Sequence, residues 1–195
     1  MEYTRPIVIS IAGFDPTGGA GVLADVKTCE QHRCLGMAVL TANTNQTETA
    51  FLSVDWFDKQ VILAQLQPIL DTYEISAVKI GIVENLETLL ELLLLVKRTF
   101  PAVRVVWDPV LAASAGFEIH TSWNEETLGR VLGMIDLITP NVHEVRKITG
   151  EEDEIEAAFQ LAKSTHVLLK GGHSTSRPGV DLLFEGGIPR EIPSK

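Results

Sequence analysis

Ile7-Val8-Ile9-Ser10-Ile11-Ala12-Gly13-Phe14-Asp15-Pro16-Thr17-Gly18-Gly19-Ala20-Gly21 is the stretch that decides the fold. A short apolar, β-branched run passes through a turn with four glycines and one proline, then enters an amphipathic segment, Val22 to His32. Strand, glycine-rich turn and helix in that order are how α/β proteins bring backbone N–H groups and a helix N-terminus up to a small polar ligand. Glycines let the backbone approach closely because no Cβ stands in the way. The spacing matches neither the Walker phosphate loop nor the dinucleotide G-x-G-x-x-G pattern.

Beyond that turn, the pattern repeats. Strand-like runs at Ile7–Ala12, Met37–Ala42, Ser53–Trp56, Ala77–Ile82, Val103–Trp107, Leu137–Thr139, Val167–Lys170 and Asp181–Phe184 alternate with helical patterns. The helices are expected near Val22–His32, Asp58–Thr72, Leu86–Phe100, Trp123–Leu132, Val142–Thr149 and Glu154–Ser164. Asp58 and Asn85 are suited to N-caps, and Ser122 with Glu125 fits a capping box. Strands and helices alternating at these lengths predict an α/β fold, with a mainly parallel central sheet and helices on both faces. No long linker, charge run or repeat interrupts the pattern, so residues 1–195 read as a single domain.

The totals exclude several classes. Hydrophobic residues make up 45% and charged residues 22%, which is ordinary for a globular chain. A net charge of −10 argues against a nucleic-acid surface, because phosphate neutralisation needs clustered Lys and Arg. The longest apolar run, Leu92 to Val96, is too short to span a bilayer. No charged-then-apolar segment opens the sequence, and a reducing cytoplasm is the expected compartment. Cys29 and Cys34 flank His32, but no further Cys or His pair at zinc-ligand spacing stands nearby; thiols packed at a helix end are the expectation.

In open parallel sheets, ligands collect at the carboxyl ends of strands. Polar residues fall at those ends here. Gln46 follows Met37–Ala42, Asp108 follows Val103–Trp107, Asn141 and Glu144 follow Leu137–Thr139, and Lys170-Gly171-Gly172 closes the run from Val167. This set suits phosphoryl transfer, which needs charge neutralisation and positioning more than covalent chemistry. Asp108 and Glu144 offer hard oxygen ligands for Mg²⁺, and Lys170 a compact positive charge for a transferring phosphate. Gly171 and Gly172 offer backbone N–H groups. Asn141 and Glu144 share the first turn of a helix. The Gln46 amide matches an aminopyrimidine edge, as a Gln or Asn amide pairs with adenine. Singly, each has a plainer reading: Asp108 before Pro109 as a turn, Asn141 as a helix cap, Lys170 as a surface lysine, and Gln46 in a solvated polar loop from Thr44 to Thr49.

Together these residues resemble the ribokinase-like superfamily and, within it, the hydroxymethylpyrimidine/phosphomethylpyrimidine kinases of thiamine biosynthesis. The resemblance is carried by Ser10 to Gly21 with Ala24-Asp25-Val26-Lys27-Thr28, Thr41-Ala42 with Gln46, Lys79-Ile80-Gly81, Asp108-Pro109-Val110, Thr139-Pro140-Asn141 with Glu144, and Lys170-Gly171-Gly172-His173. It implies a three-layer ribokinase-like fold and two successive ATP- and Mg²⁺-dependent phosphorylations of 4-amino-5-hydroxymethyl-2-methylpyrimidine, on the hydroxymethyl group and then on the resulting phosphate. It implies that Gln46, Gly13, Asp25, Ile82 and Val110 line the pyrimidine pocket. Asn141 and Glu144 would form the Asn-x-x-Glu element that organises Mg²⁺ and phosphates, with Asp108 and Lys170 beside the nucleotide phosphates. A homodimer fits the same likeness. Ile82 stands where the family often has Met, and Asn43 to Glu48 is more polar than usual. The family continues into a Gly-Thr-Gly-Cys-like helix start that supplies the anion hole; the sequence reaches Lys195 without it, and a longer protein is the expectation. The alternatives are a pyridoxal kinase-like vitamin kinase and a non-catalytic pyrimidine-binding relative.

Overall fold

The computed structural model describes residues 5–111, 124–173 and 178–193. Among them, nine strands form one sheet in the order β3-β2-β1-β4-β5-β6-β7-β8-β9. The strands are β1 (Ile7–Phe14), β2 (Leu35–Gln46), β3 (Phe51–Trp56), β4 (Ala77–Ile80), β5 (Arg104–Trp107), β6 (Leu137–Ile138), β7 (His166–Leu169), β8 (Val180–Phe184) and β9 (Arg190–Pro193). From β2 to β7 neighbouring strands run parallel, whereas β3, β8 and β9 are antiparallel additions at the two edges. The helices are α1 (Gly21–Gln31), α2 (Lys59–Thr72), α3 (Leu86–Thr99), α4 (Glu125–Leu132), α5 (Val142–Thr149) and α6 (Glu154–Ala162).

Parallel strands covered on both faces bury nearly every side chain, which is why β1 reads as a continuous apolar run. Ile9, Ile11, Val39, Ile80, Val105, Ile138 and Val167 are fully buried at the centre. The chain leaves β1 for β2 on one side and later returns to β4 on the other. Right-handed crossovers therefore place α1 on one face of the sheet and α3 on the opposite face, where α2 packs on α3 and α3 on α4. The reversal also makes the β1/β4 boundary the topological switch point, where ligands gather in such sheets.

Local chemistry sets the helix ends. Asn85 Oδ1 accepts from the Thr88 N–H at 2.8 Å and starts α3. Glu87 in its first turn and Lys97 and Arg98 in its last complement the helix dipole. Gly150, with φ +73°, closes α5 in the left-handed conformation. Other boundaries differ from the sequence expectations. Asp58 precedes α2 without a side-chain cap bond. Ser122 lies outside the described residues, and the N-cap of α4 is Asn124, which accepts from the Thr127 N–H. β2 extends past Ala42 to Gln46, because its last residues find partners in β3. Where Leu40 has no strand on its outer side, the Gln65 amide of α2 takes both its N–H (3.0 Å) and its carbonyl (3.1 Å), covering that edge.

Candidate active site

At the carboxyl ends of the parallel strands the backbone ladder runs one residue beyond each strand. The Gly81 N–H donates to Ile11 O (2.9 Å), Asp108 N–H to Ile80 O (2.8 Å), Thr139 N–H to Trp107 O (3.0 Å) and Lys170 N–H to Pro140 O (2.9 Å). These bonds set the residues that follow β4, β5, β6 and β7 side by side along one rim. From β1 to β7 the rim spans four strand spacings, about 19 Å.

Over the switch point lies a cleft of about 660 Å³. Gly13, Asp25, Gln46, Ile82 and Val110, the residues expected to meet the ring, all line it, and so does Asp108. Two β-bulges shape its mouth. One sits between Ala12 and Gly13 where β1 faces β2; the other, between Asn45 and Gln46, re-aims the end of β2. Gln46 is therefore the terminal residue of a strand, paired with Phe51, and not part of a solvated loop. Buried Thr41 and Thr44 fasten the walls: Thr41 Oγ1 donates to Ile82 O (2.7 Å) and Thr44 Oγ1 to Phe14 O (2.9 Å).

Two carboxylates in this cleft matter beyond what the sequence suggested. Asp15 is buried and organises the glycine turn. It accepts from the N–H groups of Thr17 and Ala20 (each 2.9 Å) and from Thr17 Oγ1. Burial pushes its carboxyl up, but the Gln46 amide together with the Thr17 and Ala20 donors outweighs it, and the net shift is downward. An Asp whose carboxylate reaches the N–H two residues on is an Asx turn, and Asp15-Pro16-Thr17 carries that signal. Asp25, on α1, pairs with Lys79 of β4 at 2.8 Å, and Lys79 also lines the cleft.

Asn141, Glu144, Lys170, Gly171 and Gly172 stand outside the cleft lining, farther along the rim. Asp108 joins the two groups. Its Oδ1 accepts from Lys170 Nζ at 2.8 Å and from Thr139 Oγ1 at 3.0 Å, and Glu144 Oε2 lies 3.8 Å from the same ammonium. Asn141 and Glu144 form a reciprocal capping box at the start of α5: Glu144 N–H donates to Asn141 Oδ1 (2.9 Å) and Asn141 N–H to Glu144 Oε2 (2.7 Å). Burial raises the Glu144 pKa; the Asn141 N–H and the Lys170 charge pull it back, and the Asp108 charge adds to the rise. Gly171 differs from expectation. Its N–H is donated to Asp181 Oδ1 at 2.8 Å, and a Cβ there would collide with the Val180 backbone, so this glycine serves close packing against β8.

Among the described residues no three His, Cys, Asp or Glu side chains gather into a metal cage, Cys29, His32 and Cys34 included. Asp108 and Glu144 nevertheless fit Mg²⁺, which is held by one or two carboxylates together with phosphate oxygens and keeps several waters. Their oxygens are hard donors, and they already share one cation in Lys170.

The sequence profile described as phosphomethylpyrimidine kinase matches residues 15–195. The chain belongs to the phosphomethylpyrimidine kinase family. Its members are small-molecule kinases with the ribokinase-like fold. A hydroxymethylpyrimidine/phosphomethylpyrimidine kinase of Aquifex aeolicus is 35% identical over 191 residues, covering 92% of this chain and 73% of that protein. One from Saccharomyces cerevisiae is 35% identical over an alignment of 205 positions that covers 96% of this chain but only 37% of the yeast protein. The chain thus spans little more than a third of its yeast relative. A crystal structure of the phosphomethylpyrimidine kinase of Clostridium difficile superposes with a TM-score of 0.84 at 31% identity, covering 98% of this chain and 85% of that one. The ADP complex of Bacillus subtilis pyridoxal kinase superposes with a TM-score of 0.82 at 27% identity, covering 98% and 75%. The phosphomethylpyrimidine kinase fold is therefore shared with kinases of a second vitamin. Among the described residues no helix is long and apolar enough to cross a membrane.

Proposed function

We propose that the chain phosphorylates 4-amino-5-hydroxymethyl-2-methylpyrimidine, and then its monophosphate, at the expense of ATP. Asp108 carries this reading, because one side chain belongs both to the wall of the cleft and to the cluster around Lys170 and Glu144. The ring would lie over Gly13 between Gln46 and Val110, its amino edge toward the Gln46 amide. The nucleotide phosphates would lie along the rim toward Asn141 and Lys170. Lys170 would exchange part of its contact with Asp108 for a phosphate oxygen and neutralise the charge on the transferring group. Asp108 and Glu144 would hold Mg²⁺, which would supply further charge neutralisation there. In the first transfer the hydroxymethyl oxygen forms a bond to the terminal phosphorus, the bond from that phosphorus to the bridging oxygen breaks, that oxygen leaves with ADP, and the hydroxyl proton passes to solvent.

ADP formation by the full-length protein, measured with the pyrimidine and with pyridoxal side by side, tests this. Turnover that requires the pyrimidine and Mg²⁺ is expected. Turnover with pyridoxal alone would establish the second reading, which the likeness to pyridoxal kinase favours. Pyrimidine binding without ADP formation would refute the chemistry and leave a binding protein.

A further inference from the structure

Ser10 and Lys79 are direct register partners on β1 and β4, the two strands that meet at the switch point. Being opposite one another in a parallel pair, they project to the same face of the sheet, the face that α1 covers. There they converge on a single atom. Ser10 Oγ donates to Asp25 Oδ2 at 2.5 Å and Lys79 Nζ donates to the same oxygen at 2.8 Å. Ser10 is buried, and the Lys79 and Asp25 side chains retain 28% and 22% of their exposure, so the pair is partly shielded yet open to the cleft. Asp25 Oδ1, the other oxygen, accepts no hydrogen bond from any described residue. Space for the ammonium is kept by Gly81: a Cβ at that position would stand 3.2 Å from Lys79 Nζ and 2.9 Å from Ala12 Cβ.

Two donors on neighbouring strands hold the Asp25 carboxylate through one oxygen, and because Asp25 lines the cleft its second oxygen is left for a ligand there. A carboxylate only accepts hydrogen bonds, so it selects a ligand donor. We infer that Ser10 and Lys79 are positioning residues that fix Asp25 Oδ1 as the acceptor for the hydroxyl of the ligand's hydroxymethyl group, making the pair the determinant that separates a hydroxymethyl ring from the same ring carrying a bare methyl. The inference rests on the pyrimidine reading above. The amino edge of the ring is there assigned to Gln46, which leaves the hydroxyl as the donor for Asp25.

Calorimetric titration of the full-length protein tests it with two probes, 4-amino-5-hydroxymethyl-2-methylpyrimidine and 4-amino-2,5-dimethylpyrimidine. A hydrogen bond to a charged acceptor gives the wild type a preference for the hydroxymethyl compound of about 10- to 100-fold. Lys79→Met is expected to bring that ratio to about threefold or less by weakening the hydroxymethyl compound more than the dimethyl compound, and Lys79→Arg to keep most of the preference. Ser10→Ala is expected to lower the ratio by an intermediate factor, and it decides the matter if Lys79→Met fails to fold. A ratio unchanged in these variants, with both affinities falling together, would overturn the positioning role and leave the pyrimidine reading standing. Failure of the wild type to bind either compound would overturn the pyrimidine reading, and this inference with it.

Discussion

Two alanine substitutions one turn apart should fail in different ways, because their glycines serve different ends. Gly21, at φ +59°, opens α1, and a Cβ on it would collide with the carbonyl oxygen of Gly13 and stand 3.4 Å from the Asp15 nitrogen. Both obstacles are backbone, so the turn itself must move. The left-handed conformation costs an alanine about 1 kcal/mol and the overpacking about 2 kcal/mol more. For a chain of this size a loss of about 3 kcal/mol lowers Tm by roughly 6–12 °C. At Gly13 the new Cβ would meet Ile82 Cδ1 at 2.5 Å and Cγ1 at 3.0 Å, atoms at the far end of a half-buried, rotatable side chain. Turning Ile82 aside costs about 1 kcal/mol, roughly 2–4 °C in Tm. The added methyl and the displaced Ile82 then occupy the cleft floor where the ring is proposed to lie. Overpacking of about 1–3 kcal/mol there weakens pyrimidine binding roughly 5- to 150-fold. Thermal melting by circular dichroism and calorimetric titration of each variant report the two effects separately. Wild-type affinity in Gly13→Ala would refute the placement of the ring, and a Tm change under 2 °C in Gly21→Ala would refute the account of the turn.

Other outcomes follow from the rim and the surface. Asp108→Asn is expected to lower ADP formation by at least about 100-fold, as loss of one preorganised electrostatic contact does, while the unfolding free energy from urea titration changes by about 1 kcal/mol or less because the pair is partly solvated. Asn141→Ala removes one half of the α5 capping box and should cost about 1 kcal/mol, read as a Tm lower by roughly 2–4 °C. The Asp136 carboxyl is pushed up by burial, but the Val105 N–H, Arg104 and Lys97 outweigh this and hold it below its ordinary value. Its folded pKa lies below the unfolded one, so its stabilisation is complete above the unfolded pKa, about 3.9, and is lost as pH falls through the lower folded value. Asp136→Asn should therefore flatten the decline of the urea midpoint as pH falls below about 4, and an unchanged slope would assign that decline to other groups.

What the sequence made legible is local. The β1 run and its glycine turn, the Asn85 cap and the extent of α5 are written within a few residues, in β-branching, cap chemistry and the Asn141/Glu144 spacing. The rim residues were also legible, since strand ends follow from the alternation of elements. What escaped depends on pairings distant in the chain. Gln46 was placed in a loop because its strand partner, Phe51, and the bulge beside it arise only when β3 folds back on β2. The clamp on Asp25 requires β4 to lie beside β1, and no periodicity encodes that adjacency. Gly171 looked like an open phosphate amide because its true partner, Asp181, arrives from β8.

The most direct measurement is a crystal structure of the full-length protein with 4-amino-5-hydroxymethyl-2-methylpyrimidine and a non-hydrolysable ATP analogue. The account predicts the ring over Gly13 and the terminal phosphate beside Lys170, with Asp108 between the two ligands. Ring and phosphates found in separate hollows, with Asp108 touching neither, would contradict it.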